Sequence, residues 1–328
     1  MATFRGFIRT AGAYARRAER EQQRRVRETT KKFKEQQKNE QIHNGQKAII
    51  EWNNYVEMIQ SLHKDCSEEI NWQDILNIPR PIEPTIYSKN EELALLKLQN
   101  FKPNFFHKFL NLTQKRINRL ERAIVDAKNK DNEEYNLTKK DYEEELKEWE
   151  LLNEIALGVQ NRKNEYFEKA IDYFKPFNEL KEIGTMINFS FYGHYSDIDL
   201  YIRSENMVPD YELSQTSTGK LSKKKMPKTR FNEIYQDYIC SCTLRIAREI
   251  FAHLPLKYVR INAISDLLNS QTGYLEKKPV LSVIIPLETI NKLSLTNLDP
   301  SESMKNFVHN MDFKKLTGFN EVRKVNLG

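Results

Sequence analysis

The spacing of apolar residues divides the chain into a helical first half and a mixed second half. Residues 3–40 interleave Arg with Glu and predict one exposed helix. Residues 46–64 carry a single apolar stripe, so this helix is expected to pack against the rest of the protein. A proline-rich connector and a short helix over 90–99 follow, and a further helix over 163–174 ends before Pro176.

Residues 104–158 are highly charged and contain two apolar seams with heptad spacing. The seams are Ile117, Leu120, Ile124 and Ala127, and then Tyr135, Tyr142, Trp149 and Ala156. The register breaks between them across the polar stretch "KNKDNEE". The break indicates either a stutter in one helix or the tip of a helical hairpin. We favour an antiparallel hairpin bent near Asp131, because its two arms would bury both seams.

The period changes from helical to alternating after Gly184. The stretches "MINFSFYGH" and "SDIDLYIRS" predict a β-hairpin with its bend at "GHYS", and "MVPDYEL" is a candidate third strand. A long helix over 231–253 comes next, followed by the strands "YVRINAIS" and "KPVLSVIIPL". The second of these is apolar enough to lie inside a sheet.

These patterns predict an α+β protein with long N-terminal helices, a coiled-coil hairpin and a mixed-sheet domain crossed by one long central helix. The expected divisions are a basic N-terminal helix over 1–45, a helical and coiled-coil region over 46–175, and an α+β domain over 176–328. No apolar run is long enough to span a bilayer and no secretory signal is visible, so we expect a cytoplasmic protein.

Positive charge is concentrated at the N-terminus. The chain carries a net charge of +6, whereas residues 1–40 alone hold twelve Lys or Arg and five Asp or Glu. Three interpretations stay open for this segment: a solvated basic helix, a contact with nucleic-acid phosphates, and a targeting or membrane-surface helix. The phosphate-contact interpretation rests on Arg16, Arg17, Arg20, Arg24, Arg25, Arg27, Lys31 and Lys32.

A second basic run, "KLSKKKMPKTR", precedes the long helix. It suits a nucleic-acid contact, a catalytic loop or a merely solvated connection. Gly219 permits a turn, Pro227 stiffens the exit, and Thr229 is predicted to cap the helix. We favour a secondary contact with phosphate or an acidic partner near the helix N-terminus, where anions are stabilised. The residues expected to make it are Lys223, Lys224, Lys225, Lys228 and Arg230.

The strand order raises the alternative of a metal-dependent PD-(D/E)xK nuclease, which requires an Asp and then an acid-x-Lys on the next strand. Asp197 or Asp199 can supply the first acid. In "DYELS", however, Glu212 is followed by Ser214 where the pattern needs lysine, and the nearest lysine is Lys220. The catalytic set is therefore incomplete.

Other chemistry finds little support in the sequence. The three cysteines are too scattered for a disulfide framework or a zinc site, and the six histidines do not pair at metal spacing. No nucleotide-binding glycine loop is present, so we expect neither a cofactor nor a metal. In the long helix, Arg245 and Glu249 are predicted to form an ion pair, and Cys240 and Cys242 to be small core residues.

Several stretches resemble uncharacterised bacterial coiled-coil proteins. They are "SLHKDCSEEINWQDILNIPRPIEP", "NFKPNFFHKFL", "TGKLSKKKMPKTRFNEIYQDYICSCTLRIAREIFAHLP", "TGYLEKKPVLSVIIP" and "LDPSESMKNFVHNMDFKKLTGF". More distantly, the order of "NAIS", "TG", "LSV" and "LDP" resembles the domain that precedes an Mrr-like restriction nuclease in longer bacterial proteins. The resemblance implies a restriction or anti-phage-defence setting and supplies no catalytic residues.

These observations favour a non-enzymatic scaffold or sensor subunit that binds DNA or RNA and recruits a protein effector, such as an ATPase or nuclease encoded nearby. The expected assembly is a homo-oligomer. A nuclease with degenerate or migrated catalytic residues is one alternative, and a purely structural coiled-coil oligomeriser is another.

Overall fold

The computed structural model describes residues 25, 27–29, 31, 45–102, 113–182, 185–202, 207–216 and 221–327. These residues form two compact units, and the first comprises the described part of 75–154. The second comprises the described residues of 9–74 together with 155–327. The boundaries predicted from the sequence lie near residues 45 and 175.

The helices of the described chain are numbered in order. They are α1 (Gly45–Gln60), α2 (Trp72–Leu76), α3 (Lys89–Gln99), α4 (Thr113–Gln160), α5 (Asn164–Phe174), α6 (Asn178–Glu182), α7 (Lys228–His253), α8 (Leu287–Ile290) and α9 (Pro300–Ser303). The strands are β1 (Met186–Phe191), β2 (Tyr195–Ile202), β3 (Tyr211–Gln215), β4 (Leu221–Lys225), β5 (Tyr258–Leu268), β6 (Leu275–Pro286), β7 (Val308–Met311), β8 (Phe313–Lys314) and β9 (Gly318–Phe319).

Helix α4 corrects the predicted hairpin. It runs without interruption through 48 residues, from Thr113 to Gln160, so the turn expected near Asp131 is wrong. The polar stretch that suggested a turn has another explanation. Asp131 is only 4% exposed, and its carboxylate accepts hydrogen bonds from the start of α3. This acidic residue in the middle of α4 therefore accepts hydrogen bonds from the N-terminus of a neighbouring helix.

The Asp131 carboxylate caps α3. One oxygen accepts from the backbone N–H and the side-chain amide of Asn90, at 3.1 and 2.7 Å, and the other accepts from the N–H of Glu91 at 2.8 Å. These amides belong to the first turn of a helix, which has no acceptors of its own. Burial raises the pKa of Asp131, but the hydrogen bonds from Glu91 and Asn90 outweigh it, and the pKa lies below its usual value.

The second unit is built on a mixed five-stranded sheet in the order β1-β2-β5-β6-β7. Strands β1 and β2 form the predicted antiparallel hairpin, and β2 and β5 lie parallel, with α7 in the connection between them. Strand β6 lies between β5 and β7, which confirms that "KPVLSVIIPL" is an interior strand. Strand β3 exists as predicted but pairs with β4 in a separate two-stranded ribbon.

Helix α7 is the centre of this unit. Eighteen of its 26 residues are buried, so neighbours cover it on all sides. Cys240 and Cys242 are fully buried among them, as predicted. The predicted ion pair is also confirmed, with Arg245 Nε 2.8 Å from Glu249 Oε1.

The segment after α1 follows α7 along its length. Gln60 donates to the Asp237 carboxylate at 2.6 Å, and the backbone N–H of His63 donates to Ser241 Oγ at 3.0 Å. Further on, the indole N–H of Trp72 donates to the carbonyl of His253 at 2.8 Å. The apolar stripe predicted over 46–64 therefore belongs to the core of the sheet-containing unit.

Replacing Asp131 by alanine is expected to loosen the start of α3 while α4 stays helical. The amides of Asn90 and Glu91 then lose their acceptor and should exchange with solvent deuterium faster. Amide exchange followed by NMR measures the effect. Asp126→Ala, at an exposed position earlier on α4, is the matched control.

The same cap is expected to weaken in acid. Because the folded-state pKa of Asp131 is lowered, its stabilisation is full above about pH 4, the ordinary value for Asp, and is lost as pH falls through the lowered value. The exchange rates of the Asn90 and Glu91 amides are compared between the two variants, after correction for the intrinsic effect of pH. If these amides exchange equally fast in Asp131→Ala and Asp126→Ala, the capping role is contradicted.

Candidate nucleic-acid interface

The described part of the second basic run, residues 221–230, consists of a β-strand that leads into a helix and is not an open loop. Residues 221–225 are strand β4, and they pair with β3 in the register Tyr211 to Lys225 and Leu213 to Lys223. The sequence missed this strand because three consecutive lysines are atypical of strands. Pairing with β3, whose Tyr211 and Leu213 are half-buried, supplies the missing stabilisation.

The ribbon exposes its cations. Lys223, Lys224 and Lys225 are all exposed, and the Lys223 ammonium lies 4.2 Å from the centre of the Tyr211 ring. A cation at this distance is attracted by the negative face of the ring. Glu212 stands directly opposite Lys224 in the ribbon. Successive residues of a strand point to opposite faces, so the lysines distribute positive charge over both faces of the ribbon.

The ribbon leads directly into α7. Met226 is buried and its N–H donates to the carbonyl of Asp210 at 2.8 Å, which fixes the end of β4. The helix then begins at Lys228 with Pro227 at the N-cap position, and no side chain caps it. The prediction that Thr229 caps α7 is therefore wrong, because Thr229 already lies inside the first turn.

The first turn of α7 adds two cations and no acid. Lys228 and Arg230 both lie in this turn, which contains no acidic residue. The N-terminus of a 26-residue helix presents uncapped N–H groups and the positive end of the helix dipole. The ribbon lysines and the helix start thus form one positively charged surface, which we call the basic ribbon (residues 221–230).

The N-terminal cations are described only in part. Arg25, Arg27 and Lys31 are helical and exposed. Arg16, Arg17, Arg20, Arg24 and Lys32 lie outside the described residues. Those three described positions agree with the predicted helix, and their phosphate contacts stay a prediction.

The candidate nuclease residues do not converge on one site. Asp197 and Asp199 lie on the same face of β2, two positions apart. Glu212 lies in the separate β3-β4 ribbon. Lys220 lies outside the described residues. Among the described residues, no group of three or more His, Cys, Asp or Glu is placed to hold a metal ion.

Asp197 and Asp199 are engaged with cations and an amide. Arg260 contacts both oxygens of Asp197, with Nε at 2.8 Å and Nη2 at 2.5 Å. The buried side-chain amide of Asn262 donates to Asp197 at 3.0 Å and to Asp199 at 2.9 Å. Burial raises the pKa of Asp197, but the hydrogen bond and charge of Arg260 and the Asn262 amide together hold it below its usual value.

This network anchors residues 320–327, which we call the closing segment. Lys324 Nζ lies 2.7 Å from Asp199, and Arg260 Nη1 donates to the carbonyl of Val325 at 2.9 Å. Ser282 Oγ donates to Asn262 at 2.7 Å and accepts the N–H of Val325 at 2.9 Å. The carboxylates therefore hold a chain segment against the sheet face opposite α7.

Sequence reasoning missed Arg260, Asn262 and Lys324. A signal for the first two was present, because Arg260 and Asn262 alternate with apolar residues in "YVRINAIS" and so mark a polar face of β5. The parallel pairing of β2 with β5 sets Arg260 opposite Asp197 and Asn262 opposite Asp199. That pairing depends on the crossover through α7, which local pattern does not reveal.

Comparison with known proteins gives no relative. No protein family, curated protein or solved structure matches the chain. Across the part of the chain that the structure describes, no helix is both long enough and apolar enough to cross a membrane.

Replacing Asn262 by alanine is expected to destabilise the second unit. Asn262 is fully buried, and its loss removes one hydrogen bond each from Asp197, Asp199 and Ser282. These residues then keep their contacts with Arg260, Lys324 and the N–H of Val325. A hydrogen bond to a charged group typically contributes about 1.5–3 kcal/mol to the free energy of unfolding. Urea unfolding measures the loss, and trypsin cleavage after Arg323 and Lys324 reports release of the closing segment.

Asn188→Ala is the matched control, because Asn188 is exposed and lies opposite Asp199 on the other neighbouring strand, β1. It should unfold at nearly the wild-type urea concentration. If both variants behave alike in urea and in trypsin, the network does not anchor the closing segment.

Proposed function

We propose that the chain is a non-enzymatic nucleic-acid-binding subunit that recruits a protein effector. One observation carries the proposal: the exposed cations of residues 223–230 lie on an ordered ribbon that leads into a buried helix. A fixed array of cations loses less conformational entropy on binding phosphates than lysines in an open loop. This arrangement supports a binding surface over a solvated connection.

The charge balance of this surface favours an anionic ligand. Lys223, Lys224, Lys225, Lys228 and Arg230 stand against the two acids Asp210 and Glu212. The whole chain has a net charge of +6 and residues 1–40 have a net charge of +7, so the net charge of residues 41–328 is −1. The basic ribbon is thus a local concentration of positive charge on an otherwise nearly neutral remainder, as expected of a phosphate-binding footprint.

The nuclease alternative receives no comparable support from the geometry. Its first acids, Asp197 and Asp199, contact Arg260, Asn262 and Lys324, and those contacts organise the closing segment. Glu212 belongs to a different sheet. The positions that sequence patterning assigned to chemistry therefore have a structural explanation.

Recruitment of a partner rests on apolar exposure in the first unit. Ile82 is 92% exposed, and Leu93 and Leu96 of α3 are 48% and 50% exposed. Apolar side chains of this size left open to water suit a protein partner, either an effector or a second copy of the chain. A bacterial defence setting, which the sequence resemblance implies, completes the proposal together with an ATPase or nuclease effector encoded nearby. A cytoplasmic location is proposed because the sequence has no apolar run long enough to span a bilayer and no visible secretory signal.

Replacing Lys223, Lys224, Lys225 and Lys228 together by Gln is expected to weaken nucleic-acid binding and leave folding nearly unchanged. Each lost phosphate contact should reduce the slope of log K against log salt by about 0.9 for duplex DNA and about 0.7 for single strands. Exposed charges contribute little to folding. Fluorescence anisotropy over a salt series measures the slope, and thermal unfolding checks the fold.

The control removes four exposed lysines from α4, at Lys128, Lys139, Lys140 and Lys147. It matches the change in net charge and should keep the wild-type slope. A deletion of residues 1–40 measures the N-terminal contribution separately and is expected to lower the slope further. If the ribbon variant keeps the wild-type affinity and salt slope, the basic ribbon does not contact phosphates. If the wild-type protein does not bind nucleic acid, the function as a structural oligomeriser is favoured instead.

A further inference from the structure

Three tyrosine rings stack in a row across one end of the main sheet. Tyr195 and Tyr258 begin β2 and β5 and face each other in the parallel register, with ring centres 5.0 Å apart and planes only 5° apart. Tyr192, just beyond β1, stacks on Tyr195 with centres 4.8 Å apart and an angle of 18°. We call these three residues the tyrosine row.

The row lies on the sheet face opposite α7. Tyr195 precedes Asp197 and Asp199 on the outward side of β2, whereas Ile198 and Leu200 point inward and are fully buried. The closing segment crosses this face further along, where Val325 meets Arg260 and Ser282. The outer ring of the row stays open to solvent, since Tyr192 is 51% exposed.

The turn that carries Tyr192 is held in place. Gly193 adopts φ of +63°, a conformation that favours glycine, and its N–H donates to the side chain of Asn164 at 2.9 Å. The N–H of Tyr192 donates to the carbonyl of Tyr195 at 2.9 Å. The outer ring is therefore positioned before any ligand arrives, which reduces the entropy lost on binding.

One lysine lies next to the turn that carries the row. His194 and Lys257 are exposed, and the N–H of Lys257 donates to the carbonyl of His194 at 2.8 Å, so the two residues are adjacent. The contact from Gly193 to Asn164 also brings the start of α5 to this end of the sheet. Lys163 directly precedes this helix and is exposed.

The charge at this end is only weakly positive. Arg162, Lys163 and Lys257 stand against two exposed acids, Glu165 and Glu288. Asp197, the next carboxylate along β2, is neutralised by Arg260. Binding at this site is therefore expected to depend more on contact with the aromatic rings than on attraction of phosphates. The reverse is expected at the basic ribbon.

We infer that the tyrosine row is a base-stacking site for single-stranded nucleic acid, an inference that rests on the proposed function and adds a strand preference to it. Aromatic rings beside cations bind single strands because unpaired bases offer their faces for stacking. Bases within a duplex have both faces covered. The basic ribbon holds phosphates of either form, and the tyrosine row favours the single strand.

The test uses the full chain with fluorescein-labelled oligo(dT) and oligo(rU) of about 15 nucleotides, within the usual range of site sizes for such proteins, and a duplex of equal length. Tyr192→Ala is expected to weaken single-strand binding about tenfold, as the loss of one stacked base predicts, and to leave duplex binding and the salt slope unchanged. Tyr192→Phe should retain the wild-type affinity for the single strands.

Tyr274→Ala is the control, because Tyr274 is 76% exposed and lies at the other end of β5 and β6, outside the row. It should match the wild type. If Tyr192→Ala binds single strands as the wild type does while the ribbon variant loses binding, the inference fails and the proposed function stands. If the wild-type protein binds none of the three probes, both fail.

Discussion

The burial of helix α7 determines the arrangement of the second unit. Glu249 has no exposed surface, and its carboxylate accepts from Arg245 Nε at 2.8 Å and from the N–H of Ser67 at 3.0 Å. A buried carboxylate is tolerated only when it is paired and hydrogen-bonded, so this residue ties the segment after α1 to α7. Removal of Arg245 would leave the buried Glu249 carboxylate without its closest ion-pair partner.

This constraint decides which surfaces stay available for binding. With the sheet on one side of α7 and α1 with its following segment on another, the exposed residues of the helix, Lys228 and Arg230, lie at its N-terminus. The sheet can present its opposite face alone, and the closing segment covers part of that face through Asp199 and Val325. The basic ribbon and the tyrosine row are two described surfaces that the core leaves accessible. We propose that nucleic acid binds both, through phosphates at the ribbon and through bases at the row.

Local pattern was sufficient where burial is continuous along the chain. It predicted α7, the β1-β2 hairpin, the ion pair of Arg245 with Glu249, and the buried cysteines, because each depends on residues within a few positions of one another. It failed where a distant residue decides the outcome. The stretch around Asp131 has the polar composition of a turn because Asp131 caps helix α3, where it accepts from Glu91, 40 positions earlier in the sequence.

The candidate site shows the same division. The cations of the basic ribbon could be read from the sequence, but their strand conformation depends on pairing with β3. The tyrosine row and the contacts of Asp197 with Arg260 depend on the parallel register of β2 and β5, which are 63 positions apart at that contact. A crossover connection of this length sets the register through the packing of α7, and local periodicity carries no information on it.

The most direct test of nucleic-acid binding at these two surfaces is photochemical cross-linking of the full chain to an oligonucleotide that contains 5-iodouridine, with the linked peptides identified by mass spectrometry. We expect links to Tyr192 of the tyrosine row or to the neighbouring His194, and to Tyr211, which lies beside Lys223 of the basic ribbon. Links confined to residues 1–40, or to the first unit, would contradict it.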